Sequence, residues 1–212
     1  MIAKEGRFIL CGLLLFLFPF GIYVHASEVK MLYYLYLLFG SFYIFTIYFF
    51  RDPLRKIPLD TSAILSPADG RVVSINTVND DDIGDSSQVI SIFLSIFDVH
   101  AFRYPFDGKI KSVNNKNGRF IAAFNHNASE VNAQIVTVVE SNNFTFKIKQ
   151  IAGLVARRIL CYAKPNEVVQ KGDRMGFIRF GSRADIVVSS KIKVCVNVGE
   201  KVKAGESVIA RI

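Results

Sequence analysis

Two long uncharged stretches open the chain. Phe8 to Val24 contains 17 residues and Met31 to Phe50 contains 20, with the polar segment 25–30 between them. A helix rises 1.5 Å per residue and about 20 residues cross a hydrocarbon layer of roughly 30 Å, so the second run is long enough and the first is marginal. Neither run has a polar face to show water, which argues against a pair of buried core helices. Lys4 and Arg7 precede the first run and Arg51, Arg55 and Lys56 follow the second, while the connecting loop carries only Glu28 and Lys30. Positive flanks on one side predict a transmembrane helical hairpin, with helices over about 8–24 and 31–50 and everything downstream on the cytoplasmic face of the cell membrane. The alternative for the first run is a signal peptide, since Val24-His25-Ala26 ends it with a small-residue cleavage pattern.

Past Phe50 the pattern changes. Pro53 and Pro58 prevent helix from running through the following segment, which reads as a linker. Short β-branched runs then alternate with Gly, Asn and Asp: Gly70 to Ile75, Val89 to Leu94, Ile135 to Val139, Phe144 to Ile148, Asp185 to Val188 and Ile192 to Val196. Strands at this spacing predict a mostly β, barrel-sandwich-like soluble domain. Helix is scarce there. Ala152 to Ala163 is its best candidate, although Val155 and Ile159 suit a strand equally. The division expected is therefore residues 1–56 for hairpin and linker and 57–212 for the β-rich soluble domain.

Charge and cysteine content narrow the class. Residues 57–212 hold 20 Lys+Arg against 15 Asp+Glu, an interspersed excess better suited to an anionic lipid surface than to nucleic acid, for which no recognition motif is present. Cys11, Cys161 and Cys195 are odd in number and far apart, so free buried thiols in a reducing compartment are expected, and no metal site.

Two internal echoes pair a turn with an emerging strand. Pro67 to Val72 resembles Pro105 to Ile110 through a shared Asp-Gly, and Val169 to Asp173 resembles Val202 to Glu206. The second pair is similar to the turns of biotinyl and lipoyl barrel-sandwich domains, without a carrier lysine between strands. Taken singly, the residues that could do chemistry are bland. Asp69 sits in an ordinary Asp-Gly turn, His100 ends an apolar run, and Gly-Ser occurs at 181–182 as well as at 40–41.

In combination they are distinctive. Ser66-Pro-Ala-Asp-Gly70, Phe97-Asp-Val-His-Ala-Phe-Arg-Tyr-Pro105, Gln150-Ile-Ala-Gly-Leu-Val-Ala-Arg-Arg158 and Lys171-Gly-Asp-Arg-Met-Gly-Phe-Ile-Arg-Phe-Gly-Ser-Arg183 stand in the order and near the spacing of the phosphatidylserine decarboxylase proenzymes. The chain resembles the short form of that family, with its N-terminal membrane segment, over essentially its whole length. The resemblance implies cleavage between Gly181 and Ser182 into a β chain of residues 1–181 and an α chain of 182–212 that stay associated. It also implies conversion of Ser182 into a covalent pyruvoyl group. Phosphatidylserine in an anionic bilayer would then form a Schiff base with that carbonyl and lose carbon dioxide to give phosphatidylethanolamine, without pyridoxal phosphate or metal.

Residue chemistry agrees with these roles. A serine hydroxyl needs a base, and the base an orienting group. His100 can take the proton of Ser182 and later reprotonate carbon, with Asp69 fixing its tautomer and Asp185 as a rival for that task. Gly181 suits a tight backbone approach. Arg103, Arg157 and Arg158 are candidates for the lipid phosphate. The chain departs from longer relatives at Arg103, where some have a second histidine, and at Asn132-Ala-Gln134, where relatives often show Asn-Glu-Arg. His126 matches no motif and reads as a loop residue. Two other functions stay open on residues alone: a pyruvoyl decarboxylase of a soluble amino acid, and a membrane-tethered barrel-sandwich module without chemistry. The oligomeric state is likewise open, a homo-oligomer included.

Overall fold

The structure is a computed structural model that describes residues 1–212 apart from 28, 126, 143, 155–157 and 180. It divides into two compact units, Met1–Leu54 and Arg55–Ile212. In the first, α1 (Lys4–Ala26) and α2 (Lys30–Phe49) form a hairpin, and both are long and apolar enough to cross a membrane. At 1.5 Å per residue they reach about 34 and about 30 Å. α1 begins four residues before the uncharged run because Lys4, Glu5 and Arg7 are themselves good helix formers. Phe16 and Phe20 pack edge-on against Phe39, and Phe20 also meets Tyr36. The open end is closed by main-chain bonds, Ala3 N–H donating to Phe50 O and Asp52 N–H to Met1 O, each at 2.7 Å. Phe8, Leu15, Phe18, Leu38 and Ile44 point outward and exposed, as hydrocarbon contact would require.

The second unit is mostly β. Its strands are β1 (Ala63–Leu65), β2 (Gly70–Asp80), β3 (Gly84–Leu94), β4 (Ala101–Arg103) and β5 (Gly108–Lys116). After a single turn, α3 (Ala128–Val131), come β6 (Gln134–Glu140), β7 (Thr145–Ile151), β8 (Ile159–Cys161), β9 (Val168–Val169), β10 (Arg174–Ile178) and β11 (Ser182–Val188). The chain ends with β12 (Lys193–Val194), β13 (Lys201–Val202) and β14 (Val208–Arg211). Eight strands make a curled half-barrel in the order β13-β2-β3-β11-β7-β6-β5-β9, and two three-stranded sheets, β1-β14-β12 and β4-β10-β8, complete the fold. Every pairing between these strands is antiparallel.

β11 lies at the centre of the large sheet, between β3 and β7, with all seven residues buried. Alternation sends Ser182, Ala184, Ile186 and Val188 to one face, where the last three join Ile90, Ile92, Leu94, Phe146 and Ile148 in the core. Arg183 and Asp185 occupy the other. Arg183 Nε donates to Asp185 Oδ1 at 2.9 Å, and its Nη2 donates to Ser91 Oγ at 2.7 Å and Ser74 Oγ at 3.3 Å. A buried charge of this kind is tolerated only when paired and fully hydrogen-bonded.

Two expectations are corrected. The described part of 152–163 contains no helix: Ile159–Cys161 forms β8, because pairing with Gly176, Phe177 and Ile178 gives the β-branched Ile159 a strand partner. The three thiols are free, but Cys11 and Cys195 are exposed and Cys161 is only partly covered. Burial pushes the Cys161 thiol upward, away from reactivity.

Candidate active site

The chain leaves the small sheet at Ile178 and enters the large one at Ser182, with Gly181 immediately before that entry. Gly181 makes the turn at φ +60°, in the left-handed region. A Cβ there would meet nothing within 4 Å, so the requirement is the angle and not the space. The crowding expected at Gly181 lies instead at Gly153, where a Cβ would sit 2.0 Å from the Gly181 carbonyl oxygen and 3.3 Å from Ala123 Cβ. The loop after β7 thus presses its backbone onto the carbonyl that precedes Ser182.

His100 stands against the same junction. It is fully buried, and Gly181 N–H donates to its Nε2 at 3.3 Å. Its Nδ1 lies 2.9 Å from the Asp98 carbonyl oxygen. A carbonyl only accepts, so Nδ1 carries the proton and Nε2 keeps a lone pair that receives the Gly181 N–H, one peptide before the 181–182 bond. The Asp98 carbonyl is itself fixed by a tight turn, in which Asp98 Oδ2 accepts from Ser95 N–H at 2.8 Å and from Ser95 O–H at 2.6 Å. Ser182 Oγ is buried and has no hydrogen-bond partner. An unsatisfied buried hydroxyl costs about 1–3 kcal/mol, an unusual expense for a residue that directly follows a left-handed glycine turn.

Neither carboxylate expected to orient His100 bonds to it. Asp185 is held by Arg183, on the opposite face of β11. Asp69 accepts two bonds from Arg55 Nη2, at 2.8 and 3.0 Å, and one from Ala204 N–H at 2.8 Å. The task falls to a backbone carbonyl. Asp69 nevertheless stays electrostatically close, because the Asp98 carboxylate helps to raise it. Burial is the main cause of that upward displacement, outweighing the Ala204 N–H and the Arg55 guanidinium that favour the anion.

Arg55 is the residue that sequence reasoning misplaced. It was read as a cationic flank of the membrane segment, yet its side chain is only 5% exposed and bridges Asp69 to Glu206. No periodicity links positions 55 and 69. Arg103 donates from Nη1 to the Gly172 carbonyl at 3.0 Å, beside the Gly205 turn, and Arg158 is exposed. Arg157 and His126 lie outside the described residues. Among the described residues no cluster of His, Cys, Asp and Glu could hold a metal.

Comparison with known proteins places this arrangement. The family described as phosphatidylserine decarboxylase matches residues 42–210. A phosphatidylserine decarboxylase proenzyme of Chlorobium chlorochromatii is 43% identical over 170 residues, 80% of each chain. Those of Desulfotalea psychrophila and Paraburkholderia phytofirmans are 40% identical over 189 residues and 42% over 176, covering 88% and 82% of this chain and 87% and 83% of theirs. The chain belongs to the phosphatidylserine decarboxylase family.

Two outcomes follow from this geometry. Gly153→Ala forces the Gly181 carbonyl to move, and displacements of about 1 Å can cost about 100-fold in rate. The variant precursor is expected to fold and to persist uncut at least about 100 times longer than wild type in a timed gel; cutting at the wild-type rate contradicts the assigned contact. The second concerns Asp69, whose pKa is raised in the fold. Its neutral form therefore contributes stability that is complete below the ordinary value near 3.9 and is lost as pH rises through the folded pKa. In a Ser182→Ala background, which keeps the chain whole, the melting temperature should gain on that of the Asp69→Asn variant as pH falls through this window. A loss on acidification would show that the Arg55 pair dominates instead.

Proposed function

We propose that this chain is a self-cleaving proenzyme that converts phosphatidylserine to phosphatidylethanolamine and carbon dioxide. Family membership supports the reaction, and the observation that carries the proenzyme reading is the junction itself: a buried, unpartnered Ser182 Oγ directly after a glycine whose N–H is bound by a lone pair of the buried His100.

Nε2 exchanges the Gly181 N–H for the Ser182 O–H and removes its proton as Oγ attacks the Gly181 carbonyl. The peptide nitrogen departs with a proton, leaving an ester between Gly181 and the Ser182 side chain. Removal of the Ser182 α-proton then expels the Gly181 carboxylate, and water replaces the α-nitrogen, which leaves as ammonia. The residues present fit a pyruvoyl group at position 182, since the turn at Gly181 and the interior position of Ser182 provide an enclosed site. Once formed, that group supplies an electrophilic ketone conjugated to an amide, able to accept the electron pair left by departing carbon dioxide. His100 Nε2 holds a proton and returns it to the carbon that lost the carboxylate.

Association of the two fragments is supported by the strand order. Residues 182–212 contribute β11 between β3 and β7, β13 beside β2, and β14 between β1 and β12. A cut at 181 leaves every one of these ladders in place.

A lipid substrate is supported by the loops around the junction. Phe97 is 60% exposed three residues before His100, Leu154 is 61% exposed next to Gly153, and Phe124 is 67% exposed next to Ala123. Arg119 and Arg158 lie exposed on the same loops. Apolar side chains among cations suit an anionic bilayer surface better than a free amino acid. Arg103 and Arg158, with Arg157, remain candidates for the phosphate. The positive ends of the hairpin favour a cytoplasmic catalytic unit.

On a denaturing gel, wild type should give fragments of about 20 and about 3.5 kDa by proportion of the 23.8 kDa chain, and Ser182→Ala should stay whole. An uncut wild-type chain that decarboxylates phosphatidylserine refutes the proenzyme reading; equal turnover of free serine refutes the lipid one. The absence of Trp allows a second test. A single Trp at 97, 124 or 154, in full-length protein reconstituted with brominated phosphatidylserine, should be blue-shifted and quenched. Val168→Trp, four strands from β11, should not. Water-like, unquenched emission at all three loop positions contradicts bilayer contact.

A further inference from the structure

Gln150 is a large polar side chain of the core that the fold leaves unexplained. It is completely buried on β7, and neither its Oε1 nor its Nε2 has a hydrogen-bond partner. Buried carboxamides are almost always bonded, because each lost bond to water must be replaced. The register shows where this one lies. Gln150 pairs with Ala184 across β7 and β11, so Ser182 is its diagonal neighbour on the same face of the sheet. Diagonal neighbours on adjacent strands are about 7–8 Å apart at Cα, within reach of a long side chain.

A second wall holds the amide in place. On β10, a Cβ at Gly176 would run into the Leu160 carbonyl and also lie 2.8 Å from Gln150 Nε2, so the amide packs directly against the Gly176 backbone. Gly176 precedes Gly181 by five residues, so the strand that leads toward the 181–182 bond also presses on the amide. Two buried polar groups without partners, Ser182 Oγ and the Gln150 carboxamide, therefore occupy neighbouring positions on one interior face. Each is unsatisfied in the uncut chain.

We propose that the Gln150 amide is the hydrogen-bond donor for the carbonyl oxygen formed at Cα of residue 182, polarising it toward attack by the substrate amine. The inference rests on the pyruvoyl reading above. A donor fixed in advance by packing needs no reorganisation when charge develops on that oxygen, and in a dry site such a donor acts more strongly than in water. It also accounts for the persistence of an amide that has no partner in the precursor: its acceptor does not exist until the chain is cut.

The test uses full-length protein and Gln150→Met, which keeps the length of the side chain and removes the donor. The variant should self-cleave as wild type does and melt no lower, since an unsatisfied buried amide has been removed. Its ketone should react with phenylhydrazine at least about tenfold more slowly than that of wild type, and kcat should fall about 10- to 100-fold with KM nearly constant. Gln150→Glu adds a readout that a purely structural residue would not move. A neutral carboxyl donates and a carboxylate does not, so its hydrazine rate relative to wild type at the same pH should recover as pH falls. The proposal is overturned if Gln150→Met traps hydrazine and turns over at wild-type rates. It is also overturned if the variant keeps its melting temperature but no longer cuts itself, which would assign the amide to cleavage. A wild-type protein that yields no hydrazine adduct defeats the pyruvoyl reading itself, a separate result.

Discussion

Three residues carry the backbone from the last position of β10 to the first of β11, and the rest of the site depends on that short passage. Both strands are clamped, β10 between β4 and β8 and β11 between β3 and β7, so the turn has little freedom to relax. Its solution is a left-handed Gly181 whose N–H points to His100 and whose carbonyl oxygen points to Gly153. The peptide bond that follows is thereby held from both sides, with the Ser182 hydroxyl turned into the core. Holding a nucleophile and its target in one geometry is among the largest contributions a protein can make to rate. On the proposed reading, with Ser182 as nucleophile and the Gly181 carbonyl as target, the fold makes it through backbone topology, before any side-chain electrostatics are added.

The electrostatics divide into two neighbouring centres. The first is neutral: His100, its tautomer set by the Asp98 carbonyl and its lone pair directed at the junction. The second is ionic: Asp69 between Arg55 and the Ala204 N–H, buried enough to be displaced toward its neutral form. A carbonyl orients an imidazole without stabilising its protonated form as a carboxylate would, so this arrangement keeps the ring neutral with its Nε2 lone pair able to accept. Asp69 draws the segments around residues 55, 69 and 204 together, and its partner Ala204 lies on the far side of the proposed cut at 181.

Much of this was legible in the sequence, for identifiable reasons. Burial on a pleated sheet selects β-branched runs, so the strands around 70–75, 89–94, 135–139 and 185–188 could be read from composition alone, and the two uncharged runs gave the helices. Ala152 to Ala163 misled because Ala, Leu and Arg favour helix locally, while pairing with β10 decides the matter from a distance. Ser182, His100 and Gly181 were legible through motif order. The carbonyl of Asp98, the ion pair of Arg55 and the contact of Gly153 with Gly181 were not. Each depends on which segments the topology brings together, and a main-chain carbonyl leaves no trace in residue identity. Gln150 stood inside a motif that was noticed, but nothing in a sequence says that an amide will lack a partner.

The central claim is that position 182 becomes a ketone by the chain's own chemistry. The intact mass of the small fragment from freshly purified wild-type protein tests it most directly. The account predicts residues 182–212 lighter by one ammonia than a fragment beginning with serine, and a gain of two hydrogens on borohydride reduction. A catalytically active preparation whose small fragment has the mass of an unmodified N-terminal serine, unchanged by borohydride, would contradict it.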